Sequence, residues 1–187
     1  MATLQLTHAS ILNSSAQVLV IPVNTAGILL DPVLARTKTL YPDNYQRYYH
    51  ACRDGNLAVG SCLLHKRLRE HAGLGASSNG NQPSYIANLV ISDHPYHPAR
   101  SRWLIGAFTD LQQQLIPLIR YQGLRKIALF ARPLISNSTQ NNDTPKSHII
   151  NSVPLDWATE TLPLLTQYLQ NLPKVRIDIH LPNDIAI

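Results

Sequence analysis

Asn24 is the first residue whose position invites chemistry. It ends a continuously apolar run, VLVIPV, and is followed by Thr25, Ala26 and Gly27. Many phosphate-binding loops begin this way, because glycine lets backbone N–H groups approach an anion and point at it. The next residues, Ile28, Leu29, Leu30, Asp31 and Pro32, stand where such a loop needs further glycines. Asn24 can orient a ribose or a reacting group, or it can tie the turn through its own carboxamide. Asp31 reads first as a helix N-cap with Pro32 in the first turn. Its other reading is an acidic group at a cleft mouth, which repels phosphate and favours a cationic or hydroxyl-rich ligand.

A second group lies in SDHPYHP, where Asp93, His94 and His97 follow Ser92. An Asp–His pair can do acid–base work, since histidine titrates near neutrality. The HxxH spacing lacks a third ligand nearby, so no metal or cofactor is expected. The plainer reading is a pair of surface histidines in a proline-rich loop. Arg100 and Arg102 open a long helical pattern, where positive charge opposes the helix dipole unless an anion is present. Arg132 follows a strand and can supply a guanidinium to an anion or stay solvated. Tyr41, Tyr45 and Tyr48 share a helical face and read as core rather than as a base-stacking platform.

Strands alternating with helices must position these groups. Thr3 to Thr7, Gln17 to Val23, Ser61 to Lys66, Tyr85 to Ile91, Lys126 to Phe130 and Val175 to His180 read as strands. Val33 to Leu40 reads as a helix, and a second helix, capped by Asp43 or Asn44, runs to Cys52 and stops at Gly55. Ser101 to Tyr121 places Leu104, Ala107, Phe108, Leu111, Leu115, Leu118 and Ile119 on one face, with Pro117 a candidate kink. Asp156 to Leu169 reads as a last helix interrupted at Pro163. Gly73 to Ser84 and the polar stretch 131–153 read as loops, the latter long enough for a lid. The expectation is a single domain over 1–187, a layered α/β fold.

Composition bounds the partners. The chain has 187 residues, formal charge +5 and pI about 9.4, with 44% hydrophobic and 14% charged residues. That is globular rather than disordered, and modestly disposed to anionic partners. HKRLREH, His65 to His71, reads as a solvated strand end rather than a nucleic-acid patch. The two cysteines, Cys52 and Cys62, form no CxxC and fit reduced thiols in a cytoplasmic protein. No secretory signal, membrane span or membrane partner is expected.

Taken together, PVNTAG (Pro22 to Gly27), YPDNYQRYYHAC (Tyr41 to Cys52), DGNLAVG (Asp54 to Gly60), YIAN (Tyr85 to Asn88), Ser101-Arg102, LRKIAL (Leu124 to Leu129) and PLDW (Pro154 to Trp157) resemble the macro domain. The DarG type, an antitoxin that removes ADP-ribose from DNA, is the nearest form. The resemblance implies a three-layer α/β/α fold with a mixed, mostly parallel sheet and a ligand cleft at one end. It places Asn24 by the distal ribose and Gly27 in the first phosphate-side loop. The implied ligand-binding set is Asn24, Thr25, Ala26, Gly27, Ile28, Leu29, Ser92 and Arg132.

The departures fall on that set. Leu30, Asp31 and Pro32 replace the loop's later glycines, and Pro32 has no N–H to offer. The second phosphate loop falls in 131–153, which has no glycine. Ser10 stands where the family has an acidic residue that reads adenine, and Ser92 where the DarG type has a catalytic lysine. Three functions follow. The first is recognition of ADP-ribose, a related nucleotide, or ADP-ribosylated nucleic acid or protein, without efficient turnover. The second is an ADP-ribosyl hydrolase with rearranged catalytic residues, the candidates being Asn24, Asp31, Asp93 and His94. The third is an interaction or immunity module, with nucleic acid or a cognate protein as partner and a vestigial pocket.

Overall fold

The computed structural model describes residues 1–68, 82–135 and 154–187. Its sheet has six strands: β1 (Thr3–Thr7), β2 (Val18–Asn24), β3 (Cys62–Lys66), β4 (Tyr85–Ser92), β5 (Lys126–Phe130) and β6 (Arg176–His180). The order is β1-β6-β5-β2-β4-β3, with every pairing parallel except β3 against β4. The sheet is therefore mixed and mostly parallel, as the resemblance implied.

Strands covered on both faces need apolar side chains at every position. β2 is buried along its whole length, and successive side chains enter opposite layers. Val18 and Val20 pack with Leu104, Phe108 and Leu165. Leu19, Ile21 and Val23 pack with Leu34, Tyr41 and Tyr48. Helices α1 (Pro32–Leu40) and α2 (Pro42–Arg53) thus cover one face; α3 (Ser101–Tyr121) and α4 (Leu162–Leu169) cover the other. The apolar face read from α3 is buried at Leu104, Ala107, Phe108, Leu111, Leu115 and Ile119, and the helix continues through Pro117. Among the described residues, no helix is long and apolar enough to cross a membrane.

Two helix starts differ from the sequence expectation. α2 begins at Pro42 behind Tyr41, and neither Asp43 nor Asn44 caps it. Both turn inward instead. The Asp43 carboxylate lies 2.8 Å from His65 Nε2 and 3.1 Å from Arg67 Nη2. Asn44 and Asn88 exchange hydrogen bonds of 3.1 and 2.8 Å. Partners in β3 and β4, remote in sequence, outweigh the local capping preference. Burial alone would raise the Asp43 pKa, but His65 and Arg67 more than offset this and hold it below its ordinary value. The last helical segment is broken before Pro163, not at it. A π turn, Trp157–Thr161, capped by Asp156, feeds α4, and Pro163 sits in the first turn of α4. Proline has no N–H and crowds the preceding turn, and the wide turn accommodates both effects. The 73–84 and 131–153 stretches lie mostly outside the described residues.

Removing the Asp43 carboxylate takes from the buried Arg67 guanidinium and the His65 ring the acceptor they share. Asp43→Ala is expected to lower unfolding free energy by roughly 3–5 kcal/mol, read by urea denaturation. A loss under about 1 kcal/mol, the range of an exposed pair, would show that the network does not hold α2 to the sheet.

Candidate functional site

The parallel strands β2, β4, β5 and β6 all end on one edge, and the loops that leave them gather there. Open α/β sheets bind ligands at this carboxyl edge. At the end of β2 the pairing with β4 shifts register between Val23 and Asn24, so Asn24 comes opposite Ser92. Such a bulge re-aims the side chain at the strand end.

The Asn24 carboxamide is folded onto its own loop. Its Oδ1 accepts N–H bonds from Ala26 at 3.0 Å and Ile28 at 3.4 Å, and its Nδ2 donates to the Ile28 carbonyl at 2.7 Å. The Tyr48 hydroxyl donates to the Asn24 carbonyl at 2.6 Å. Burial first, and the neighbouring Cys52 next, push the Tyr48 pKa far up, so this donor stays neutral. Burial also raises the Cys52 thiol, which rests 3.7 Å from the same carbonyl and is no thiolate nucleophile. Gly27 has φ +75°, and a Cβ there would stand 3.4 Å from the Tyr49 ring. A left-handed backbone is the reason for glycine at this point.

Thr25 donates through Oγ1 to the Asp93 carbonyl at 3.2 Å, tying the β2 loop to the β4 loop. Ala26 and Ile28 are exposed, and Leu29 is half-buried against the α1–α2 layer. Asp31 is the N-cap of α1, accepting from Val33 N–H at 2.8 Å with Pro32 at the helix start. Its other oxygen lies 3.7 Å from Arg132 Nη1. Arg132 opens a 3-10 turn after β5, so one ion pair joins the two places where the resemblance sets phosphate loops.

Ser92 is buried, and its hydroxyl donates to the His94 carbonyl at 3.0 Å. Asp93 pairs not with His94 but with His97, Oδ1 to Nδ1, at 2.9 Å. The hydrogen bond from His97 holds the Asp93 carboxylate below its ordinary pKa. His94 accepts the Tyr96 N–H through Nδ1 at 3.2 Å and stacks loosely on His97. Among the described residues, no group of His, Cys, Asp and Glu could hold a metal ion.

Beside the Asp31–Arg132 pair lies a cavity of about 180 Å³, walled by Ser10, Ile11, Val33, Phe130, Arg132 and His180 among others. Only Arg132 of the expected ligand-binding set lines it. Ile11, Val33, Phe130 and His180 escaped the sequence reading, since each is an ordinary core or strand residue in its local context. A larger hollow, about 710 Å³, opens at the amino-terminal ends of β2 and β4 beside Gln17 and Tyr85, away from these loops.

A mixed sheet of this order between two helical layers, with the first loop leaving β2 at an asparagine, defines the macrodomain fold. The chain is similar over 97% of its length to the macrodomain of Thermus aquaticus DarG, at 24% identity and TM-score 0.69, covering all of that chain. It is similar over 99% of its length to Thermosipho africanus DarTG solved in complex with ADP-ribose, at 21% identity and TM-score 0.71, covering 43% of that chain. In sequence it is 30% identical over 131 residues to a DNA ADP-ribosyl glycohydrolase of Thermus aquaticus. That match spans 70% of this chain and 32% of the relative. No family model matches.

Two outcomes test this geometry. Asn24→Ala is expected to cost about 1–3 kcal/mol of stability and to speed hydrogen exchange at the Ala26 and Ile28 amides. Unchanged exchange would mean the carboxamide does not hold the loop. The second concerns His180, whose pKa is lowered chiefly by burial. Below its ordinary value of 6.5 the unfolded chain takes a proton that the folded chain resists, so stability falls as pH drops through that value. Urea midpoints between pH 7.5 and 5, at about half-unit steps, should decline in the wild type and decline less in His180→Leu. Equal declines would show that His180 stays uncoupled from folding.

Proposed function

We propose that this chain recognises an ADP-ribose-type nucleotide, free or carried on nucleic acid or protein, without efficient turnover. The carrying observation is Asn24. Its carboxamide bonds both the Ala26 and Ile28 N–H groups and the Ile28 carbonyl. A side chain engaged in this way holds a loop rather than a reacting ribose. Two backbone donors of that loop are taken as well, and Pro32 offers none. A cation for an anionic ligand stands at the same edge in Arg132, exposed and only loosely held by Asp31 at 3.7 Å. A diphosphate arriving there would replace a long ion pair with charge-assisted hydrogen bonds, the guanidinium taking the part of the missing glycine backbone. The neighbouring cavity, with Ile11, Val33 and Phe130 on its walls beside Ser10, His180 and Asn183, offers a base both apolar and polar surface. Support from similarity is that the Thermosipho africanus relative was solved with ADP-ribose. The reading treats residues 1–187 as one unit in the cytoplasm.

A second reading is an ADP-ribosyl hydrolase, favoured by one observation. Asp93 and His97 form an exposed pair in the loop that Thr25 ties to the β2 loop. There an imidazole oriented by a carboxylate could activate water.

Calorimetric titration with ADP-ribose, with ADP as control, tests recognition directly. Binding is expected, and Arg132→Ala should weaken it roughly 10- to 100-fold, the worth of a hydrogen bond to a charged group. No heat and no thermal shift at millimolar ligand would overturn the proposal and leave the protein-interaction reading. Release of ADP-ribose from modified DNA, lost in His97→Gln, would establish the hydrolase instead.

A further inference from the structure

The edge of the sheet opposite the ligand loops is cationic. β5 and β6 begin there at Lys126 and Arg176, which stand side by side in the parallel register. β3 runs the other way and brings Lys66 to the same edge, against Tyr85 at the start of β4. Arg120 lies in the last turn of α3, Arg125 joins that helix end to β5, and Lys174 leads into β6. All six side chains but Lys126 are exposed. Among the described residues, Asp178 is the one carboxylate paired with any of them, 2.7 Å from Arg176 and 3.5 Å from Lys126. Arg67, next to Lys66, is balanced by buried Asp43. Six cations against one carboxylate leave an excess of five, which equals the formal charge of the whole chain, +5. The remainder of the chain is balanced.

Internal bonds account for half of the six. The Arg125 guanidinium donates to the Ile119 and Leu124 carbonyls at the end of α3, Lys126 bonds Ser15, and Arg176 is held by Asp178. Lys66, Arg120 and Lys174 have no side-chain partner among the described residues. Lys174 also holds φ +38°, in the left-handed region. Glycine enters that region at no steric cost, and lysine does not. A strained residue held in this way points to a requirement outside the local fold. Gathered like charges repel one another, so the edge is built for an anionic partner that neutralises them.

The spacing indicates which anion. Arg176 on β6 and Lys66 on β3 are four strand spacings apart, roughly 19 Å, with Lys126 on β5 between them. A row of that length meets a repeating charge rather than a single phosphate. We infer that this edge is a docking surface for nucleic acid, which it binds by the phosphodiester backbone without reading sequence. Only Lys66 comes from HKRLREH; the topology, not a run of sequence, assembles the row. The surface lies at the far end of the strands from Asn24 and Arg132, so it leaves those loops open. It does not rest on the nucleotide-recognition reading.

The test follows the fluorescence anisotropy of two labelled, unmodified DNA duplexes of about 20 base pairs and unrelated sequence, titrated with the full chain at several salt concentrations. Both are expected to bind alike, with affinity falling steeply as salt rises. The combined variant Lys66→Gln, Arg120→Gln, Lys174→Gly should weaken binding roughly 10- to 100-fold and lower the log–log salt slope by about one per side chain removed. Lys174→Gly alone separates charge from strain: its melting temperature should hold or rise while duplex affinity falls. Arg132→Ala, at the opposite edge, should bind the duplexes as wild type does. No anisotropy change at about 100 μM protein in low salt overturns the inference. So does wild-type affinity in the combined variant, or a loss in Arg132→Ala as large as in that variant. Displacement of the duplex by polyglutamate at equal charge concentration would make this a surface for acidic protein, and would overturn it equally.

Discussion

The carboxyl edge of the sheet depends on the Asn24 carboxamide. Its three bonds close the loop from β2 to α1 around Gly27. They do so only because Asn24 itself is held. The Tyr48 hydroxyl donates to its carbonyl, and Tyr48 belongs to α2. α2 in turn is fastened to the sheet by Asp43 on His65 and Arg67 and by Asn44 on Asn88. A buried polar network between α2 and the sheet therefore holds the strand end from which this loop leaves. Networks of this kind are stiff when every member is bonded, since any slip exposes an unpaired group to a low dielectric.

The loop so fixed has a particular electrostatic character. In a phosphate loop the attraction comes from backbone donors and a free helix N-terminus. Here Asp31 caps α1 with its own carboxylate, so the helix dipole is already answered by a fixed negative charge. Arg132 is the counterweight, pairing with Asp31 from across the edge of the sheet. On the proposed reading, one long cationic side chain stands where a phosphate loop has a compact backbone cradle, which favours charge over geometric selectivity.

Much of this fold was legible in the sequence because its signals are local. Continuous apolar runs marked the buried strands to within a residue or so, and Asp31-Pro32 announced a capped helix that is present. The motif run from Pro22 to Gly60 carried the macro-domain resemblance. What was illegible is what depends on partners far along the chain. Asp43 and Asn44 read as caps because the residues that turn them inward lie 22 and 44 positions away. Asp93 was read with His94 and His97 alike, and the loop geometry pairs it with His97. His180 drew no notice, since the carbonyl that its ring bonds is 171 residues distant. For Asn24 both readings were open, and its Oδ1 accepts N–H bonds from Ala26 and Ile28, as the turn reading requires.

The loop at Asn24 closes on itself, and the proposed recognition lies beside it. Backbone amide shifts recorded during an ADP-ribose titration test this most directly. Shifts are expected to concentrate at Ser10, Ile11, Val33, Arg132 and His180, with the Ala26 and Ile28 amides still bonded to Asn24 and slow to exchange. Large shifts and faster exchange at Ala26 and Ile28, with none around His180, would mean that the loop opens to cradle the phosphates and is not self-closed.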